Sequence, residues 1–206
     1  MKLNWKIKPL SWSAISSFKY SKQDWYEKYV LGIKPATTAE MEFGKMIGKK
    51  LETDPTYLPM IPRCGKMEHE FTAEWKGIRL IGFADSFGHI SFNELDEYKT
   101  GVKKWDKKRV DEHGQLTMYC LMNYIKNKVK PEDVKIRLTW MPTQRTPEGK
   151  IEFVPDIEKK IITIKTKRTM AQILKFGAEI ERVYKEMEAY VASRELSTCT
   201  KVIASI

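Results

Sequence analysis

The chain has 206 residues, 42% of them hydrophobic and 31% charged, with a formal charge of +10. This is enough chain for one α/β domain with a substantial core, and neither a disordered nor a membrane-spanning protein has this composition. The positive charge favours polyanions such as nucleic acid or an anionic membrane face. The start, MKLNWKIKPL, lacks the apolar stretch of a secretory signal, so a cytoplasmic location is expected, a nucleoid or viral setting being compatible with it. Cys64, Cys120 and Cys199 are odd in number and far apart, which predicts free thiols in a reducing compartment.

In chain order, residues 11–31 carry Trp12, Ile15, Phe18, Trp25, Tyr29 and Val30 at mostly helical spacing. Ser11 or Ser13 is the expected N-cap and Gly32 the terminator. Lys34 to Thr38 reads as a loop and Ala39 to Glu52 as a helix. Asp54 to Gly65 contains Pro55, Pro59 and Pro62 and is irregular. Lys66 to Trp75 alternates in part and reads as a strand, with His69 as a core or edge histidine. Arg79 to Phe83 and Leu95 to Thr100 are two further strands, joined by a turn built from Gly88, His89, Ser91 and Asn93. Arg109 to Lys126 reads as a helix with Gly114 as its weak point. Val134 to Met141, Ile151 to Val154 and Lys160 to Ile164 read as strands, and Arg168 to Val191 as a long amphipathic helix that includes Leu174 on its apolar stripe. No repeat, low-complexity tract or linker divides the chain, so residues 1–206 read as one domain, with an N-terminal helical segment over 1–38 and a C-terminal helix over 165–206.

The segment from Leu80 to Gly101 holds the candidate chemistry. Asp85 lies at the end of the first strand, and Glu97 and Lys99 near the end of the second. Side chains alternate along a strand, so Glu97 and Lys99 share a face and Tyr98 points away. If the two strands pair, two carboxylates and an ammonium converge. Carboxylates at short range repel, and a divalent cation with oxygen ligands, Mg²⁺ or Mn²⁺, removes the repulsion. A neighbouring lysine can orient or deprotonate water or steady a negative transition state. A surface hairpin with a same-face ion pair accounts for the spacing equally well. Two basic runs stand out: Lys103, Lys104, Lys107, Lys108 and Arg109, and six Lys or Arg without an acid between Lys159 and Lys175. Each fits either a solvated face or contact with DNA, and the first adjoins the candidate site.

The residues Gly82, Asp85, Glu97, Lys99, Thr100 and Gly101, in GFAD…ELDEYKTG, resemble the motif of the PD-(D/E)XK nuclease superfamily in its RecB-like branch, which includes CRISPR-adaptation nucleases. Gln115 and Tyr119 match the Gln-x-x-x-Tyr helix of that branch, and Trp105, between Gly101 and Gln115, also fits the family's pattern. Ser11-Trp12-Ser13 through Gly32 looks like its opening helix, and Phe43-Gly44 through Glu52 like its second. The resemblance runs from about Ser11 to about Trp140. It implies a restriction-endonuclease-like α/β domain with a central mixed β-sheet flanked by helices. It further implies a metal-dependent DNA nuclease, an exonuclease or a nuclease of recombination, repair, phage or CRISPR type. Asp85 and Glu97 would hold Mg²⁺ or Mn²⁺ with the Tyr98 carbonyl, Lys99 would act on water or the transition state, and Gln115 and Tyr119 would support the site. Lys103, Lys104, Lys107, Lys108 and Arg109 would contact single- or double-stranded DNA. Recombination or CRISPR proteins are the other expected partners, no membrane is expected, and an oligomer is left open. Some relatives carry a four-cysteine iron–sulfur cluster. Three cysteines cannot supply its ligands, and Ser21-Lys22 replaces the Cys-Pro pair of those relatives, so no cluster is expected. Gly48 stands where many relatives have a metal-binding histidine. Glu42 and Glu52 flank it, either as replacements or as surface acids. Other readings are a nucleic-acid-binding module without chemistry and a structural subunit of a recombination or CRISPR complex.

Overall fold

The computed structural model describes residues 8–88 and 90–203, with side chains up to residue 195. Six strands form one mixed sheet. β1 (Lys66–Trp75) and β2 (Ile78–Phe87) make a long antiparallel ribbon, β3 (Glu94–Gly101) lies antiparallel to β2, and β4 (Lys135–Arg145) lies parallel to β3. β5 (Ile151–Phe153) and β6 (Ile162–Thr166) both run antiparallel to β4. A parallel pair needs a crossover, here α4 (Lys107–Asp111) and α5 (Gly114–Asn127) between β3 and β4. Before the sheet come α1 (Trp12–Tyr20), α2 (Lys22–Trp25) with a π-helical turn at Tyr26–Val30, and α3 (Ala39–Thr53); a short helical turn, α6 (Ile157–Lys160), joins β5 to β6, and the long α7 (Met170–Ile203) follows the sheet. This is the α/β class with a central mixed sheet and flanking helices that the sequence led us to expect.

Two apolar cores lie on either side of β3. The larger packs α1, α5 and α7 on the sheet through residues such as Ile15, Phe18, Phe71, Leu95, Leu116, Leu138, Ile180 and Val183. The smaller lies under α3 and joins Ile47, Leu51, Leu58, Ile61, Tyr98 and Met141. Leu95 faces the first and Tyr98 the second, so β3 is buried on both faces, as a central strand must be.

Several sequence expectations shift for identifiable reasons. The first helix breaks at Ser21, which is extended (φ −149°, ψ 110°) and caps α2 by accepting from the Asp24 amide at 3.2 Å. The helix expected from Arg109 to Lys126 is two helices. Asp106 caps α4 through the Arg109 amide at 2.7 Å, and α5 restarts at Gly114. Gly114 touches the Trp12 ring so closely that a Cβ there would stand 2.2 Å from it. β2 runs four residues past Phe83, so Asp85 lies inside the strand. Lys160 belongs to a helical turn, and residues 165 and 166 are still strand, so the C-terminal helix begins at Met170. Leu174 is exposed, while Ile173, Phe176, Ile180, Val183 and Met187 form the buried stripe of α7. Cys64 and Cys120 are free thiols. His89, the side chain of Cys199 and most of the MKLNWKIKPL start lie outside the described residues. No described helix is long and apolar enough to cross a membrane.

Arg168, one of the six cations in the second basic run, is only 1% exposed. Its guanidinium donates to Thr117 Oγ1 at 2.8 Å, Thr166 Oγ1 at 2.7 Å, the Lys167 carbonyl at 2.8 Å, and the Val110 and His113 carbonyls at 2.9 and 3.3 Å. It thus adds charged donors to carbonyls at the end of α4 and the start of α5, and ties the break between them to β6 and α5. Replacing Arg168 by Met should cost about 3 kcal/mol or more, because buried acceptors lose charged donors. Lys should not rescue it, since one ammonium cannot span these directions. Urea melts of the two variants check this.

Candidate active site

The site is built around a seam. β2 and β3 pair at only two positions, Ser86 with Asp96 and Phe87 with Leu95. Extending that register would place Asp85 opposite Glu97, but the strands part there. The Tyr98 amide, which would otherwise need a backbone partner, donates to Asp85 Oδ2 at 2.5 Å. Asp85 therefore closes the gap from one side, while Glu97 and Lys99 enter it from the other. Between β2, β3 and α3 lies a cleft of about 390 Å³, with Asp85, Lys99, Glu68 and Gly48 on its wall.

Glu97 and Lys99 share a face, as alternation predicted. Lys99 Nζ donates to Glu97 Oε1 at 2.5 Å and to Gln115 Oε1 at 3.1 Å. Gln115 Nε2 donates to Tyr119 Oη at 2.7 Å, and Tyr119 donates in turn to the Phe83 carbonyl. One helical turn separates Gln115 and Tyr119, so both reach the same side of α5. The chain of bonds ties the Lys99 ammonium to β2 through two side chains. Gly82 makes the arrangement fit: a Cβ at that position would lie 2.6 Å from the Tyr119 ring.

Charge is concentrated here with limited access to water. The side chain of Glu97 is 3% exposed and that of Lys99 28%. Burial, then the Glu97 charge, push Asp85 well above the ordinary carboxylate range, with Lys99 only partly offsetting them. Burial also raises Glu97, against the pull of Lys99. For Lys99, burial opposes the charge but Glu97 and Asp85 outweigh it, so its pKa rises and it remains an ammonium. Glu97 Oε2 is buried and finds no hydrogen-bond partner among the described residues. Two adjoining carboxylates with an orphaned buried oxygen fit a divalent cation. Among the described residues, however, no group of three or more His, Cys, Asp and Glu is arranged to hold a metal. Protein side chains would thus give Asp85 and Glu97, and the Tyr98 carbonyl is a backbone addition.

Glu42 and Glu52 are exposed, and Glu52 pairs with Lys49 at 2.9 Å. Space beside Gly48 is open, with nothing within 4 Å of where a Cβ would stand. The acid that sequence reasoning missed is Glu68. In the β1–β2 ladder its partner would be Asp85, and the ladder skips that rung. Glu68 has φ 48°, a conformation rare outside glycine. Burial raises its pKa, with the Glu52 and Glu97 charges adding to the effect. Partial alternation in 66–75 gave it no more weight than Glu70 or Glu74. Asp96 was also passed over. It is fully buried on the far side of β3, bonded to Arg137 Nε at 2.5 Å and to the Cys64 amide at 3.0 Å, a structural role.

In the first basic run, Lys103, Lys104, Lys107 and Lys108 are exposed. Lys107 is paired with Asp111. The Arg109 guanidinium lies 3.7 Å over the Trp105 ring. His113, between Trp12 and Trp105, is pushed down to about 3 by burial and by nearby Lys99 and Arg168, so its ring is neutral.

No protein-family model and no curated protein matches the sequence. Solved structures do match in shape. A candidate exonuclease from Eubacterium rectale superposes with a TM-score of 0.55 at 11% identity, over 91% of this chain and 83% of its own. An alkaline exonuclease from Laribacter hongkongensis superposes with a TM-score of 0.54 at 10% identity, over 96% of this chain and 97% of its own. At such identities the likeness is one of fold: the mixed sheet and its flanking helices are built as they are in these two proteins.

Proposed function

We infer that the chain is a metal-dependent nuclease that hydrolyses DNA phosphodiesters, of the RecB-like PD-(D/E)XK type. The observation that carries this reading is the meeting of Asp85, Glu97 and Lys99 in the β2–β3 seam of a fold held in common with two exonuclease structures. Asp85, Glu97 and the Tyr98 carbonyl would hold Mg²⁺ or Mn²⁺. When bound, the cation supplies Lewis acidity toward the phosphate oxygens. Lys99, charged and anchored by Glu97 and Gln115, places its remaining donor where negative charge grows on the phosphate. Tyr119 and Gln115 act through Lys99 by holding its direction. The second reading is a nucleic-acid-binding module that lost its chemistry, favoured by Gly48 and by the shortage of side-chain ligands.

Cleavage separates them. Linear and circular DNA are incubated with Mg²⁺ or Mn²⁺, and nicking and end resection are followed. The nuclease reading expects loss of linear DNA, and Lys99→Met should slow it roughly 10²-fold or more with calorimetric Mn²⁺ binding retained. A folded wild type that binds DNA but cuts neither substrate with either ion establishes the binding module.

A second prediction concerns the apo protein. Asp85 and Glu97 are both raised, so the fold favours their protonated forms. Stability without metal should then fall as pH rises from the ordinary carboxylate range through the raised values. Asp85→Asn keeps an acceptor for the Tyr98 amide and removes one charge. In the presence of a chelator at neutral pH its melting temperature should exceed that of the wild type, and the gain should shrink toward pH 4. Mn²⁺ should raise the wild-type melting temperature and leave that of the variant unchanged.

A further inference from the structure

The two basic runs, separated by about fifty residues in sequence, approach each other at a hollow outside the seam. It has a volume of about 550 Å³, and its wall includes Val102, Lys104, Trp140, Pro142, Val154, Lys159, Lys160 and Ile162. The sheet register fixes where this hollow lies. Lys99 pairs with Trp140 on β4, and Trp140 pairs with Ile162 on β6. Residues paired across a sheet project from the same face. Trp140 and Ile162 therefore continue the row of Lys99, one and two strands over, at about 5 and 10 Å.

The chemistry of the hollow is two-part. Its floor is apolar: Trp140, a core residue 7% exposed and held by its indole N–H bond to the Gly101 carbonyl at 3.0 Å, shows only part of its ring there, beside half-buried Ile162 and exposed Val102. Val102, at the lip, is 70% exposed, although it directly follows the buried strand β3. Around that floor stand Lys104, Lys159 and Lys160, all exposed. An apolar surface with a rim of ammonium groups matches an unstacked base with its flanking phosphates. A duplex offers no free base face, so the match is to single-stranded DNA.

We propose that this hollow is a subsite for one unpaired nucleotide of the DNA strand being cut, with the base against the Val102–Trp140–Ile162 surface and the neighbouring phosphates on Lys104, Lys159 and Lys160. The proposal rests on the nuclease reading for its substrate. It gives the second basic run a role that Arg168, buried and structural, does not share.

Binding measured without cleavage tests it. Fluorescence anisotropy of a short labelled single-stranded DNA is recorded in EDTA across a salt series. The Lys104→Glu/Lys159→Glu/Lys160→Glu variant should bind at least about 10-fold more weakly and flatten the salt slope by about 2, since each phosphate contact on a single strand contributes about 0.7. Lys126→Glu/Lys130→Glu/Lys175→Glu, an equal charge change at residues away from the hollow, should stay within about 3-fold of wild type. An abasic site scanned through the oligonucleotide should cost wild type about 10-fold at one position. Circular dichroism melts confirm folding of each variant. Equal loss in both triple variants, no positional effect of the abasic site, or binding of duplex but not single strands overturns the subsite. Loss confined to the first variant, in a wild type that binds but never cleaves, upholds the subsite while removing the nuclease reading.

Discussion

The shortness of the β2–β3 ladder governs the site. A fully zipped antiparallel pair would consume the Tyr98 amide in a backbone bond and press Asp85 and Glu97 together with no room between them. Two paired positions hold the strands at Ser86–Asp96 and Phe87–Leu95, and beyond them a carboxylate replaces the ladder. Asp85 thus has two duties: it satisfies a backbone donor, and it keeps the seam from closing. The strand next door supports the opening. β3 remains fully paired to β4 from Glu94 to Gly101, so loss of pairing on one edge does not unravel it.

The electrostatic arrangement is costly to folding. Burying one charge pair rarely stabilises a protein, and here a second carboxylate is added on the same side. Burial is the main cause that raises Asp85 and Glu97, the Glu97 charge adds to it at Asp85, and Lys99 offsets only part, while the two carboxylates raise Lys99. The far side of β3 shows the contrast. There burial raises Asp96 as well, but a bidentate guanidinium and a backbone amide give its oxygens donors, whereas Glu97 Oε2 has none among the described residues. The same strand thus carries one fully bonded acid for structure and one incompletely bonded acid at the seam, and buried, perturbed acids of the second kind are found at functional sites.

Much of this was legible in the sequence. Alternation put Glu97 and Lys99 on one face, helical spacing put Gln115 beside Tyr119, and the motif order tied both to Asp85. Glycine placement carried information whose physical basis emerged only in three dimensions: Gly82 makes room for Tyr119, and Gly114 for Trp12. What stayed hidden depends on contacts distant in sequence. Nothing near Arg168 signals that it caps α4 from 58 residues away, and charge counting placed it on the surface. The split between α4 and α5 has the same origin. Glu68 was hidden for a different reason, since backbone conformation, not residue pattern, turns it toward the cleft.

Glu68 and Gly48 bear on one question, how a cation would be held with few side-chain ligands. A non-glycine residue at φ 48° carries strain of about 1 kcal/mol or more. The conformation falls where the β1–β2 ladder skips a rung, and the Glu68 side chain is exposed and belongs to neither core. Its neighbours add to the disadvantage: the Glu97 charge raises Glu68, and Glu68 raises Asp85. The open space beside Gly48 faces the same cleft, and so does the acid on β1. A positive charge in the seam would reverse the sign of every one of these penalties, turning mutual repulsion among Glu68, Asp85 and Glu97 into shared attraction. Of the two readings of the site, the proposed nuclease is therefore the one that gives the strain at Glu68 a compensating gain.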